Sequence, residues 1–469
     1  MLDPWNPSRI EAGSCMTPRE VRATQPAARP ADHRTALAAA RQRMLATGQW
    51  SASQLMGRRW PIGCVALEIT QRCNLDCTAC YLSEHSEAVN DLPLDEVFRR
   101  IDMIFEHYGR HTDVQITGGD PTLRRRDELV AIVRRIRDQG MRPTLFTNGI
   151  RARRDLLQEL VEAGLVDVAF HVDMTQQRKG YASETALNAL RQEYIERARG
   201  LGLSVMFNTT VFDGNFDQIP EVVAFFVRNS DRVRLASFQL VADTGRGVLG
   251  SRAPRITLAS ARRQIELGAG TSLSFDTAQI GHSHCNRYAM ALVTNGRVYD
   301  MLDDPKLFDD ILEHTARLQF DRQSRSKAVG TFARGMLANP RLTLRGLGWL
   351  ARKVWRAKGD LLQAHGRVHK LSFFIHNFMD ACSLEQNRID ACVFTAATGD
   401  GPISMCLHNA KRDVFILSPV RLGGAQGDRF WNPLSGEVSA RPARLHPVLD
   451  VGRKKAKGRL KRALAVSAK

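Results

Sequence analysis

An alternation of strand and helix patterns between residues 64 and 239 limits what this chain can fold into more than any other feature of its sequence. Apolar strand candidates lie at 64–70, 113–117, 143–147, 166–172, 204–211 and 233–240. Helical patterns at 94–108, 127–139, 155–163, 183–199 and 218–228 separate them. Units of this kind set parallel strands side by side with the helices outside. Six units fall short of the eight that close a barrel. The expected fold is α/β, a partial (β/α)6 TIM-type barrel over residues 63–250.

The flanks are less regular. Residues 1–32 are rich in Pro, Arg and Ala without periodicity and read as a disordered lead-in, with Met1 and Met16 both available as starts. Residues 33–62 read as a short N-terminal helical segment. Beyond 240, the stretches 282–304 and 390–416 read as strand-turn-strand pieces, with Asn295-Gly296 and Asp400-Gly401 at their turns. They fall within 251–320 and 371–420, which together read as a small C-terminal domain. Between these parts, 321–370 carries twelve Lys or Arg against two Asp and no Glu. The tail, 421–469, ends in a run with eight basic residues after Gly452 and no acid.

Composition narrows the class. The chain has 469 residues, 43% of them hydrophobic, enough for a sizeable core. A net charge of +18 calls for an anionic partner surface. No apolar run is long enough to span a bilayer and no signal-peptide pattern opens the chain, so the expected location is cytoplasmic. Nine cysteines are too sparse for a disulfide scaffold, and their clustering points to metal ligation.

The sharpest cluster is Thr70-Gln-Arg-Cys73-Asn-Leu-Asp-Cys77-Thr-Ala-Cys80-Tyr81, a C-x3-C-x2-C loop directly after the first strand. Three thiolates on one loop can hold three irons of a [4Fe–4S] cluster and leave the fourth open to an external ligand. Zinc is the competing reading; it would need a fourth ligand, for which His85 is the local candidate.

The loop resembles the signature of the radical S-adenosylmethionine (SAM) superfamily, and the resemblance runs strand by strand over about 64–246. Gly118-Gly119-Asp120-Pro121 ends the second strand, where family members carry a Gly-Gly-Glu-Pro type motif whose backbone binds the SAM amine; Asp for Glu is a departure. Thr147-Asn148-Gly149 matches a family element after the third strand. His171 and Asp173 close the fourth, and Asn208 and Thr209 lie where the family contacts the SAM ribose. The resemblance implies a catalytic cluster on Cys73, Cys77 and Cys80, SAM on its open iron, and a 5′-deoxyadenosyl radical that abstracts hydrogen from substrate. It also implies a reducing partner such as flavodoxin or ferredoxin.

Four more cysteines, Cys285, Cys382, Cys392 and Cys406, make the count of a fully ligated second [4Fe–4S] cluster. Cys392 and Cys406 fall on the two arms of one hairpin, and Cys285 opens the other. This looks like a trimmed auxiliary-cluster domain of the superfamily. A zinc site using His282, His284 or His408 is the runner-up.

Three stretches, Phe374–Asp380, Ile389–Cys392 and Asp400–Asn409, resemble one subgroup, which contains archaeal tetraether lipid synthases and pterin dimethyltransferases. The rubredoxin-like module and further clusters of its larger members are absent from this chain. Within 342–362, Leu347, Trp349, Leu350, Val354 and Trp355 can form an apolar helix face beside a cationic one, suited to an anionic membrane interface or to docking on the enzyme. The stretch lacks a base-reading motif, so no sequence-specific nucleic acid is expected. The favoured activity is radical C–C bond formation or alkylation of a lipid chain at the inner membrane face. Modification of a peptide or pterin is the alternative, and a zinc-bearing basic scaffold is the rival from another class.

Overall fold

The computed structural model describes residues 32–250, 252–316, 318, 320, 324–422, 429–442 and 457–458. The expected lead-in up to residue 31, with both candidate starts, lies outside them, as does most of the tail.

The six expected strands form as β1 (Cys64–Thr70), β2 (Asp113–Gly118), β3 (Arg142–Thr147), β4 (Asp167–His171), β5 (Ser204–Val211) and β6 (Val233–Leu240). A first helix, α1 (His33–Ala46), precedes them, capped by the Asp32 side chain on the Thr35 amide. The crossovers are α2 (Leu94–Tyr108), α3 (Arg126–Asp138), α4 (Arg154–Glu162), α5 (Asn188–Ala198) and α6 (Ile219–Arg228). Helix α2 shows the local logic. Asp95 and Glu96 lie in its first turn, where the dipole favours them, and Gly109 at φ 74° ends it. Val97, Ile101 and Ile104, spaced by four and three, bury one stripe. That stripe meets Val65, Leu67 and Ile69, the alternate residues on the helix side of β1. Further on, Phe170 of β4 lies tilted against Phe207 of β5 (centroids 5.8 Å apart), which stacks on Phe226 of α6 (5.3 Å). The core thus sits between strands and helices, and the odd-numbered face of β1 is spent on it.

After α7 (Leu258–Ala269) come the hairpin β7 (Asn286–Thr294) and β8 (Arg297–Asp300), then α8 (Pro305–Thr315), α9 (Arg325–Leu337), α10 (Pro340–Gln363) and β9 (His369–Asn377). A short helix α11 (Gln386–Asp390) leads into β10 (Phe394–Ala397) and β11 (Pro402–Ser404), followed by α12 (Met405–Ala410) and α13 (Arg412–Ile416). Asn295 and Gly296 both adopt positive φ at the β7–β8 turn, as a type I′ hairpin requires.

Sequence reading sets these later strands apart as a small domain; the structure merges them with the barrel. The sheet order is β11-β10-β1-β2-β3-β4-β5-β6-β9-β7-β8. Strand β9 pairs in parallel with β6, and β10 in parallel with β1. Eight consecutive strands therefore run parallel, and an antiparallel hairpin finishes each edge. The two ends of the parallel run approach through side chains instead of a ladder: His376 and Phe374 on β9 meet the Phe394 ring on β10 at 4.9 and 5.8 Å. The physical reason is economy of edges, since an unpaired edge strand leaves its amides and carbonyls to water.

Part of the expected tail is also structured. β12 (Val420–Leu422), β13 (Arg429–Trp431) and β14 (Val438–Ser439) form a small antiparallel sheet, tied to the body where the Asn90 amide donates to the Pro433 carbonyl (2.8 Å).

The basic insert is helical, and it splits the expected apolar face. Leu307, Met336 and Leu342 make a small core between α8, α9 and α10, with Trp349 packed against it. The Trp349 indole donates to Asp303 (2.9 Å), and Lys353 bonds the Asp300 carbonyl and Asp303. Leu344, Leu347, Val354, Trp355 and Leu362 are 48–78% exposed. At 100° per residue these five fall on one side and Leu342, Trp349, Lys353, Ala357 and Asp360 on the other. Trp349 thus docks the helix, while Leu347, Val354 and Trp355 stay outside. Among the described residues no helix is long and apolar enough to cross a membrane.

Candidate active site

In a parallel α/β sheet the carboxyl ends of the strands share one face, where loops can gather side chains from elements distant in sequence. The C-x3-C-x2-C loop leaves β1 at that face. Cys73, Cys77 and Cys80 are partly buried and lie within electrostatic reach of one another. Burial pushes the Cys73 and Cys77 thiols up, and the buried Arg246 guanidinium pulls both back towards the thiolate.

The strand tips hold this loop in place through backbone contacts. Gly119 and Asp120 donate their amides to the Thr70 and Arg72 carbonyls (2.9 and 2.8 Å). A Cβ on Gly118 would sit 2.0 Å from the Thr70 oxygen, and one on Gly119 2.0 Å from that of Arg72. The glycine pair is required by this close approach, whatever else its backbone binds. Thr78 donates to the Thr175 carbonyl (2.8 Å) beyond β4, and the Val248 and Leu249 amides donate to the Thr78 carbonyl from after β6.

Asp120 is fully buried, and its carboxylate accepts from the Thr122 amide (3.0 Å), the Asn148 amide (2.8 Å), and the Thr122 and Thr147 hydroxyls. It ties the tip of β2 to that of β3. Asn148, so fixed, donates from Nδ2 to Asn74 (2.6 Å) with Cys73 Sγ at 3.9 Å. Gly149, at φ 81°, lies where a Cβ would enter the Tyr194 ring. On β4 and its exit, His171 Nε2 meets Asp173 at 2.7 Å, and the fully buried Asp173 accepts the Thr210 amide (2.8 Å). Burial opposes charge on both, but each stabilises the other, so the Asp173 carboxyl is held low and the His171 imidazole is raised.

Two expected SAM contacts part company. Asn208 pairs in register with His171, whereas Thr209 follows Phe207 onto the opposite face of β5. Thr209 is fully buried, and its hydroxyl has no partner among the described residues. Adjacent strand residues cannot both reach one ligand on one face, so only Asn208 shares the side of His171.

Sequence reading missed Arg246 as a site residue. It donates to Glu87 (3.1 Å) and stands among the three thiols, with Gly245 and Gly247 allowing the close pass over Tyr81 and Cys80. The glycines on either side of an arginine were the available signal. Lys457 and Gly458 were also missed: Lys457 bonds the Cys73 carbonyl and Glu87, and the Gly458 amide bonds Asp76 (2.9 Å). Nothing in a lysine-rich tail marks one lysine for this place.

The donor set fits a cluster. Three sulfur ligands stand on one loop, and the remaining described cysteines lie in other parts of the fold. His85, the candidate fourth ligand for zinc, meets Asp413 through Nδ1 (2.9 Å). Among the described residues no three His, Cys, Asp or Glu side chains converge as ligands of a single ion do. Cubane thiolates bind separate irons and need no such convergence.

At the seam of β9 and β10 a second pocket is lined by Cys285, Cys392 and Cys406 together with His282, His376 and Met405. Burial raises the Cys285 thiol to about 11 and Cys406 further, and the Arg388 guanidinium donates to Cys285 Sγ (3.2 Å). Three of the four cysteines expected to hold a second cluster thus line one pocket. Cys382 is exposed and outside the lining, because the turn buries Ala381, whose amide bonds Asp243, and points the next residue outward. His408 is elsewhere too, stacked on Phe415 and 4.0 Å from Glu68.

Residues 67–226 match the family model described as Radical SAM superfamily. Three curated relatives are similar over a little more than a third of the chain. The chain is 29% identical to the 7,8-dihydro-6-hydroxymethylpterin dimethyltransferase of Methanocaldococcus jannaschii, over 38% of this chain and 36% of that one. It is 34% identical to a probable GTP 3′,8-cyclase of Pyrococcus abyssi, over 35% and 53%. It is 31% identical to the PqqA peptide cyclase of Bradyrhizobium diazoefficiens, over 37% and 46%. The matched part spans about half or less of the length of these relatives.

Proposed function

Because residues 67–226 form a domain of the radical SAM superfamily, we propose that the protein is a radical SAM enzyme acting on an unactivated carbon. The observation that carries the reading is the loop after β1, which gathers Cys73, Cys77 and Cys80 beside a buried guanidinium at the carboxyl ends of parallel strands. When bound there, a reduced [4Fe–4S] cluster with SAM supplies a 5′-deoxyadenosyl radical that takes hydrogen from substrate. The chain's own residues hold and orient. Arg246 favours the thiolate forms that bind iron, and Asp120 and Asn148 brace the loop at Cys73. Gly118, Gly119, Asn148, His171, Asp173 and Asn208 frame the space for SAM.

The pterin, nucleotide and peptide named for the three relatives show how little this domain fixes the substrate. For this chain the reading is C–C bond formation or alkylation of a lipid chain, with the enzyme resting on an anionic membrane. The exposed apolar side of α10, where the Lys358 ammonium lies 3.6 Å over the Trp355 ring, supports it. A pterin remains the second reading, favoured by the dimethyltransferase similarity. A flavodoxin or ferredoxin is the proposed electron donor, and a second cluster in the Cys285, Cys392 and Cys406 pocket would relay or accept electrons.

Anaerobic reconstitution tests this. We expect brown protein with about eight irons, roughly four per cluster. Dithionite should drive 5′-deoxyadenosine release from SAM, and Cys73→Ala, Cys77→Ala or Cys80→Ala should abolish it. Colourless protein carrying stoichiometric zinc would replace the enzyme with a basic scaffold.

A further inference from the structure

The second pocket offers three thiols, whereas a fully ligated cubane takes four protein ligands. Four side chains near it can be compared as the fourth. Cys382 is exposed and points away from the lining. His282 lines the pocket, but its Nδ1 accepts the His284 amide (3.1 Å) and its Nε2 faces the Asn387 side chain (3.4 Å). His284 is not among the lining residues. His376 is, and its buried Nδ1 has no hydrogen-bond partner among the described residues.

The setting of His376 is unusual for an imidazole. It lies on β9 between Phe374 and Phe378, nearly parallel to both, at centroid distances of 4.2 and 5.6 Å. Phe394 closes the side from β10 at 4.9 Å. Three aromatic rings fix the plane of the ring and offer its nitrogen no polar contact. A buried ring nitrogen without a partner is costly, and a metal is one of the few things that would satisfy it. Cys392 and Phe394 are two residues apart, so the element that walls His376 also brings one thiol.

We propose that His376 is the fourth protein ligand of an iron–sulfur cluster held by Cys285, Cys392 and Cys406, and that Cys382 is not a ligand. The assignment rests on the second-cluster reading above. A neutral imidazole in place of a thiolate removes one negative charge from the cluster's surroundings and raises its reduction potential.

The test uses the full chain with Cys73→Ala, Cys77→Ala and Cys80→Ala combined, so that only the second cluster forms. This background should bind about four irons after anaerobic reconstitution. Adding Cys382→Ala should leave that iron in place. With ¹⁵N-labelled histidine, pulsed spin resonance of the dithionite-reduced protein should show a nitrogen coupling that changes with the label. In His376→Cys, which supplies a thiolate at the same position, iron should be retained, the coupling lost and the midpoint potential lowered. A coupling that persists in His376→Cys, the absence of any histidine coupling, or loss of iron in Cys382→Ala overturns the ligand assignment. If the background binds no iron while the unaltered chain binds about four, the second-cluster reading itself fails and takes the assignment with it.

Discussion

Replacing Asp120 separates two roles that its place in the Gly118-Gly119-Asp120-Pro121 motif leaves open: ligand to SAM, or brace between strands. In the structure its carboxylate is buried and accepts four hydrogen bonds, two from the backbone amides of Thr122 and Asn148 and two from the Thr122 and Thr147 hydroxyls. In Asp120→Ala the hydroxyls can turn to other acceptors, but the two amides cannot. Each buried donor left unsatisfied costs about 1–3 kcal/mol, so the loss should be roughly 2–6 kcal/mol. At about 2–4 °C per kcal/mol for a domain of this size, the melting temperature should fall by roughly 4–24 °C. Asp120→Asn keeps one acceptor oxygen and should lose less, with the greater part at Asn148. Melting should be followed without iron or SAM, so that only the protein's own bonds are weighed, and SAM affinity measured separately on reconstituted protein. An Asp120→Ala protein that melts unchanged yet fails to bind SAM would refute the brace and make Asp120 a direct ligand.

Acid stability gives a second test. Burial alone would raise the Glu68 carboxyl, but Arg412 at 2.6 Å, with the Arg412 and Gln71 hydrogen bonds, holds it at about 2, below its ordinary 4.5. A group whose folded value lies below its unfolded one stabilises at pH above the unfolded value and loses that contribution as pH falls through the folded value. Unfolding titrations should show on the order of 3 kcal/mol lost between about pH 5 and 2, and Glu68→Gln should flatten that slope; an unaltered slope would refute the pairing. The third test concerns α10. Leu344→Ser with Trp355→Ser should weaken sedimentation with anionic vesicles by roughly tenfold or more while leaving melting unchanged, since each fully buried apolar side chain is worth about 1.5–3 kcal/mol. Trp349→Ala should instead lower the melting temperature, and equal binding by all three proteins would remove the membrane reading.

The barrel was legible because its signals are local. Strand β1, for example, is apolar and bounded by turns, and α2 carries its stripe at the spacing of a helix. The Cys73 loop was legible because all three thiols sit within eight residues, so spacing alone brings them together. The second site was only half legible. Four cysteines spread over more than a hundred residues carry no geometry, and a count of four invited a four-thiolate site. Placement just before β7, just before β10 and in α12 brings three to one pocket, while the turn that buries Ala381 leaves Cys382 exposed.

By itself, then, the sequence determined the parallel α/β core and the first thiol loop, since short-range periodicity and spacing suffice for both. Only the tertiary structure decided that β9 and β10 join the barrel sheet and that Arg246 and Lys457 reach the loop. It also decided that His376 lines the same pocket as three thiols and that the apolar residues of α10 divide between enzyme and solvent. Those outcomes depend on which distant surfaces pack together, and pairing energies between residues far apart in the chain leave no periodic mark along it.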